Sequence, residues 1–572
     1  MASTTSTVAK EPIPSTSFMT SAKDYTMPES SLDDATPPDP AEAAFKPSSL
    51  GFWLIIISVY LAFFLIALDR MIIATAIPSI TNTFDSITDI GWYGSAYMLT
   101  CAIFNPLMGS VYRLYPIKWV FMTSVIIFEA GSALCGSAPT SIALIIGRAV
   151  AGIGAAGISS GSVMIVVNLV PLHKRPVFTS FFGLAFGVSS VLGPIAGGAF
   201  ADSARLTWRW SFYLNLPIGF FTLLVVFFFL HLPTTPAREK VPILTQIKRL
   251  DPLGVLFFAP SMVCLILALQ WGGTTYAWSA PRIIALLVVF AVTFVAFIIV
   301  EFIMPDTAMA PPRILLQRSV GASLFFTFMS SAGMMTAVYY LSIWFQVAQG
   351  QSAMQSGIRT IPMVLSIVLF GIVCAVFTQK IGYYVPALLL SPILASTGAG
   401  LLSTLTPTSE RSMWIGFQVL YGAGMGAGAQ TANLAAQTCL RREDVAQGTA
   451  LGFFMQQLGG AAFLAVGQNL FSSELVKSLS GIAGLDTQTI INTGATDLKR
   501  VVSPDILGTV VNAYSHALTR VFVLSAALAA ATMLGAVCLE WKDIRKGKGA
   551  AAKAMKADAE KGGPKTEEGE KL

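Results

Sequence analysis

GFWLIIISVYLAFFLIALDRMIIATAI, residues 51–77, decides the fold class. It runs apolar for longer than the roughly 20 residues a helix needs to cross about 30 Å of hydrocarbon. Only Asp69 and Arg70, near its end, interrupt it. Stretches of this kind recur at 91–111, 118–137, 141–168, 177–200, 209–231, 252–271, 282–304, 319–347, 357–378, 384–405, 411–437, 446–469 and 519–540. None alternates with period two, so the pattern predicts a helical bundle and not an outer-membrane barrel.

Charge distribution supports that reading. Of the 572 residues 54% are hydrophobic and 12% charged, against about 25% charged in a soluble globular chain. Ten of the 66 charged residues fall in 1–50 and 15 in 542–572, which leaves 41 for the 491 positions between. A soluble enzyme or a single-span receptor with a large globular head is excluded. No basic stripe is long enough to track phosphates, so nucleic acid is not an expected partner. The six cysteines stand singly without disulfide or zinc spacing. His173, His231 and His516 lie near or outside span ends, and neither a metal site nor a catalytic triad is expected.

Residues 1–50 are Ser/Thr/Pro-rich and acidic, unlike a secretory signal, and read as a disordered cytoplasmic tail. The Lys/Glu/Ala/Gly tract within 542–572 reads the same way. Placing both ends in the cytoplasm puts thirteen Lys and Arg in the cytoplasmic loops against five in the opposite short loops, the expected bias. The remaining organisation is a six-helix half at 51–231, connectors and two extra helices at 232–318, and a second six-helix half at 319–541 with a polar outer loop at 470–518. Parallel halves around a midplane site are a recurring transporter plan.

Ionisable residues inside spans are costly, about 2.5–3.5 kcal/mol each on insertion scales, and mark interior positions. Asp69 and Arg70 either anchor the first helix or serve gating and proton coupling; their side chains point about 100° apart and need different partners. Glu129 and Arg148 stand alone in neighbouring spans, which favours an interhelical pair. That pair is either static or a proton site with Glu129 as carrier. Gly152-Ile153-Gly154-Ala155-Ala156-Gly157 matches a dinucleotide fingerprint literally, but no strand precedes it and no acid follows about 20 residues on, so a helix-packing face is the reading. The amides Gln346, Gln430, Asn433, Gln437, Gln456, Gln457 and Gln468 either cross-link helices or line a cavity. The aromatic stripe that includes Tyr340 and Trp344 is of a kind more often lipid-facing or core than ligand-binding, but an amide-and-aromatic cavity would suit a hydrophobic, oxygen-rich ligand.

On these residues the chain resembles the major facilitator superfamily, in its fourteen-span drug:proton antiporter branch. It is most similar to the fungal toxin-efflux group with its aflatoxin-type and HC-toxin-type pumps. The carriers are LDRMIIATAIPSI at 68–80, GWYGSAYMLT at 91–100, GRAVAGIGAAG at 147–157, GVSSVLGPIAGG at 187–198, WRWSFYLNLPIG at 208–219 and YGAGMGAGAQ at 421–430. The resemblance implies an all-α bundle of fourteen transmembrane helices, two six-helix halves plus two inserted helices. It assigns Asp69 and Arg70 to the first-span antiporter motif and Arg148 to proton transfer. Gly187, Gly193, Pro194, Gly197 and Gly198 become the motif linked to exchange direction. In the loop between spans two and three, Gly109 and Lys118 match a gating motif whose usual aspartate is here Arg113.

The implied activity is proton-coupled efflux of a hydrophobic small molecule, a secondary metabolite, toxin or drug, with no cofactor beyond the proton gradient. Asp69, Glu129 and Arg148 are the expected coupling residues, and Arg70, Tyr340, Trp344, Gln346, Gln430, Asn433, Gln437, Gln456 and Gln457 the expected cavity. A monomer in the plasma membrane is expected, with a vacuolar or vesicular membrane as the other location. An importer of the same fold and a transporter-derived receptor are the alternative functions.

Overall fold

A computed structural model describes residues 40–85, 89–203, 206–232, 242–273, 276–479 and 504–545. Most of both expected tails, and the middle of the expected 470–518 loop, lie outside these residues. The described backbone is helical, with isolated bridges in place of strands. Its long helices are α1 (Leu50–Phe84), α2 (Ile90–Leu114), α3 (Ile117–Ser137), α4 (Ser141–Leu169), α5 (Arg175–Asp202), α6 (Asn215–Phe229) and α7 (Pro252–Trp271). They continue with α8 (Pro281–Ile303), α9 (Arg318–Val347), α10 (Ile361–Ile381), α11 (Val385–Leu402), α12 (Arg411–Cys439), α13 (Val445–Leu479) and α14 (Pro504–Val537). Each falls on one of the apolar stretches.

Among the described residues, 12 helices are long and apolar enough to cross a membrane. The two outside that set, α2 and α12, have 25 and 29 residues and so are long enough. Their composition differs because they face protein. In α12 the buried positions include Gly422, Gly424, Gly426 and Gly428, where backbones approach, together with Gln418 and Gln437.

Two helix ends depart from the expected loop at 470–518. Helix α13 continues to Leu479, and α14 begins at Pro504. Phe471, Leu475 and Leu479 form an i, i+4, i+8 stripe on α13 that packs with Val510, Tyr514 and Leu518 of α14. An apolar stripe of that period holds a helix together even where mean hydropathy is too low to read as a span. The sixth and tenth expected spans are each broken near the start: Trp210–Tyr213 precedes α6, and Ala353–Arg359 precedes α10, whose first turn carries Pro362.

The halves repeat one packing plan. In the first, α1 packs on α5 and α6, α4 on α2 and α3, and α3 on α6. In the second, α9 packs on α13 and α14, α12 on α10 and α11, and α11 on α14. The halves meet through α2 against α13 and α5 against α10, two contacts that exchange under the same correspondence. Each half has its own apolar core.

Helices α7 and α8 pair with each other, and α7 leans on α2 and α13. Most of α8 is exposed, with Val292 at 64% and Ile303 at 72%, as a lipid-facing helix should be. The connector after α8 is held by buried carboxylates. Asp251, the N-cap of α7, accepts from the amides of Gly254 (2.8 Å) and Met309 (3.2 Å), and Glu301 accepts from that of Ala310 (3.0 Å). The next carbonyls reach both halves: Arg113 of α2 donates to Asp306 O at 3.4 Å, and Gln447 of α13 donates to Ala308 O at 3.2 Å.

Candidate functional site

Asp69 sits on α1 and Arg148 on α4, both fully buried, and they form an ion pair. Asn215 at the start of α6 donates to the other Asp69 oxygen (3.3 Å) and to Ser132 Oγ on α3 (3.1 Å). Arg148 also donates from Nε to Tyr93 O on α2 at 2.9 Å, and its guanidinium lies 4.4 Å from the Tyr97 ring centroid. Four helices of the first half therefore converge on one buried charge pair. A buried pair survives only when its remaining lone pairs and protons are satisfied, and Asn215 and Tyr93 meet that need.

This corrects the expected pairing of Glu129 with Arg148. Glu129 projects from α3 toward α6 instead, where its carboxylate occupies the space a Cβ at Gly219 would take. Both of its oxygens are buried without a hydrogen-bond partner among the described residues. Glu129 and Arg148 stand on adjacent helices, but Asp69, three helices before Arg148 in sequence, reaches it because α1 also packs on α4.

One residue along, Arg70 turns the other way and donates to Gln457 Oε1 of α13 at 2.8 Å, crossing between the halves. It enters a cavity of about 150 Å³. The walls come from α1, α2, α4 and α5 on one side and α9, α10, α12 and α13 on the other, corresponding helices of the two halves. Of the expected cavity residues, Arg70, Gln430, Asn433, Gln456 and Gln457 line it. Phe63, Phe182, Phe186, Phe326 and Phe453 supply rings, and Tyr97 joins the cavity wall to Arg148.

Four expected cavity residues lie elsewhere. Tyr340 and Trp344 are fully buried, bonded through the Tyr340 hydroxyl to Gln468 (3.2 Å) and through the Trp344 indole to Ser515 (3.0 Å). At 1.5 Å rise per residue, Trp344 is roughly 13 Å along α9 from Met335, the last residue of α9 in the cavity wall. Gln346 donates back to Ser342 O at 3.3 Å, and Gln437 is buried away from the cavity near the end of α12.

The glycine–proline segment of α5 lies along α1. A Cβ on Gly193 would stand 2.7 Å from Met71 Cβ, and one on Gly197 would strike Thr75 and Ile72. Pro194 is inside the helix. Gly187 turns to the other half, where its Cβ would meet Val368 of α10 at 2.6 Å, while Gly198 faces open space. Gly152, Gly154 and Gly157 are buried against α2 and α3, the packing role expected of them.

At the end of the bundle that bears the α2–α3 loop, a Cβ on Gly109 would come within 2.9 Å of both Ala450 Cβ and Gln447 Cα on α13. Arg113 donates to Gln447 Oε1 at 3.4 Å, and Arg442 to Asn168 Oδ1 at 3.1 Å, both across the halves. Lys118 stays within the first half, donating to Phe227 O at 2.6 Å. Glu540, beyond α14, pairs with Lys542 at 2.9 Å, and that hydrogen bond holds its carboxyl below the usual range.

Sequence reasoning missed Asn215 and Tyr97. Asn215 carried a signal, an isolated amide inside an apolar run; Tyr97, in a stretch that also holds Trp92, Tyr93, Ser95 and Thr100, carried none.

Comparison with known proteins agrees with this architecture. The profile of the Major Facilitator Superfamily matches residues 59–464. The chain is 49% identical over 499 residues to the MFS-type efflux pump MFS1 of Arthroderma benhamiae, covering 87% of this chain and 93% of that one. It is 43% identical over 507 residues to the efflux pump aflT of Aspergillus parasiticus, covering 88% and 98%. Among solved structures, the proton:xylose symporter XylE superposes with a TM-score of 0.53 at 15% identity, over 87% of this chain and 98% of that one. That last likeness concerns the fold alone.

Proposed function

The chain belongs to the major facilitator superfamily, a family of membrane transporters and not of enzymes, and on that premise we propose that it is a proton-driven exporter of hydrophobic small molecules. In this reading α2 and α12 complete fourteen crossings, the Lys- and Arg-rich loops face the cytoplasm, and the protein works as a monomer in the plasma membrane of a fungal cell. Its cargo is a secondary metabolite, toxin or drug. The relatives named as efflux pumps support the outward direction.

The observation that carries the coupling is the Asp69–Arg148 pair, buried directly behind two cavity-lining residues, Arg70 and Tyr97. A carboxylate holds a proton differently with and without a guanidinium beside it. If a shift of α1 against α4 within the first half accompanies the change between open states and parts the pair in one of them, Asp69 loads a proton there and releases it when Arg148 returns. Ligand occupying the cavity biases the same equilibrium through Tyr97 and Arg70, so proton and ligand are linked by alternating access. Glu129, with no cation against it, is the reserve carrier.

The test uses the full-length protein in proteoliposomes with the neutral dye Nile red and an imposed pH gradient. Asp69→Asn is expected to bind dye but lose gradient-driven movement, and Glu129→Gln to be the milder change. Wild-type dye movement in Asp69→Asn would remove Asp69 from the coupling role and weaken antiport itself.

A further inference from the structure

The cavity wall contains one formal charge. No Asp or Glu is among its described lining residues, and Arg70 is its sole cation. Asp69, the adjacent acid, does not neutralise Arg70, because its carboxylate is taken up by Arg148 and Asn215. Of the five N–H donors of the guanidinium, the structure gives one to Gln457, a neutral acceptor, and leaves Nε buried with no partner. A half-buried arginine that faces a cavity lined only by neutral side chains is incomplete without an anion, and its planar fork is suited to pairing two oxygens of one group. Around it stand the rings of Phe63, Phe182, Phe186, Phe326 and Phe453, a wall for a flat apolar body.

We infer that the molecule carried is an aromatic organic acid, whose ionised oxygen group pairs with Arg70 while its ring system lies among the phenylalanines. This rests on the reading of the cavity as the transport site and adds the charge of the cargo to it. The amides Gln430, Asn433 and Gln456 then hydrogen-bond the remaining oxygens, and a cationic drug of similar size is disfavoured because no carboxylate receives it. Export of the acid in its ionised form also removes the negative charge that would otherwise leave Arg70 compensated, so release returns the cavity to the state that favours the next acid.

The experiment is equilibrium dialysis of tritiated 2-naphthoic acid and its uncharged counterpart 2-naphthamide against the full-length protein in nanodiscs at pH 7. The acid is expected to bind at least about tenfold more tightly than the amide. Arg70→Gln should erase that preference, and Arg70→Lys, which keeps the charge but not the fork, should retain part of it. An acid that binds no better than the amide, or not at all, overturns the inference. So does a preference that survives in Arg70→Gln or vanishes equally in Arg70→Lys. Dialysis involves no gradient and no net movement, so failure here refutes the substrate class and leaves export standing. Failure of the Nile red assay would leave the binding result untouched.

Discussion

Gly109→Ala adds one methyl group at the place where the halves touch. In the present arrangement that methyl would stand 2.9 Å from both Ala450 Cβ and Gln447 Cα and 3.3 Å from Ala446 O. Carbon atoms in contact prefer about 3.5–4.0 Å, so about 0.6–1.1 Å of relief is required. Gln447 Cα is backbone, and no rotamer change supplies it; α2 and α13 have to part. Overpacking of this kind costs about 1–3 kcal/mol. The cost falls only on the arrangement in which the halves are closed at this end. Alanine's advantage over glycine as a helix former, about 1 kcal/mol, is common to every state and cancels. The equilibrium should therefore shift toward the open form by about 5- to 150-fold. Ser110, buried and bonded to Gln447 at 3.2 Å, reports it when replaced by cysteine in a background where the exposed Cys538 is serine. Its alkylation by N-ethylmaleimide proceeds only when the halves separate, so the rate should rise by that same factor in Gly109→Ala. An unchanged rate would refute the claim that this contact holds the end closed.

Two further outcomes follow from the packing of the first half. Gly193→Leu should abolish transport with little loss of expression, since its side chain would begin 2.7 Å from Met71 and hold α5 off α1; near-normal Nile red efflux would contradict the packing. Arg148→Met should lower stability by about 3–5 kcal/mol by stranding the Asp69 carboxylate, and the double change with Asp69→Asn should recover most of it, read as unfolding of the purified protein; a double variant no more stable than Arg148→Met would show that the pair is not the source of the loss.

How much of this was legible in sequence depends on the length scale of the signal. Helix positions follow from hydropathy, because lipid demands about 20 apolar residues wherever a helix meets it, and every expected stretch is a helix. Where protein replaces lipid the signal weakens: α2 and α12 carry polar and small residues, and the far ends of α13 and α14 hide in a polar stretch. The site was legible as a set of residue types and not as partners. Arg148 was identified as a buried charge, but its choice of Asp69 over Glu129 depends on how α1 passes α4, which no local pattern encodes. Arg70, Gln430, Asn433, Gln456 and Gln457 reach the cavity, whereas Tyr340 and Trp344 do not. Aromatic content marks burial, and only position along α9 separates a wall residue from a core residue.

The backbone at 306–308 has a kinematic consequence. Arg113 holds one carbonyl for the first half and Gln447 holds another, two residues on, for the second. When α2 and α13 part at this end, a short segment already clamped by Asp251 and Glu301 cannot follow both. One grip has to slip, and α7 and α8 then ride with the half that keeps its hold. Under the proposed alternating access the long helices would then move as two bodies and not three, with the inserted pair as ballast on one rocker and the cavity walls left to the eight helices that line them.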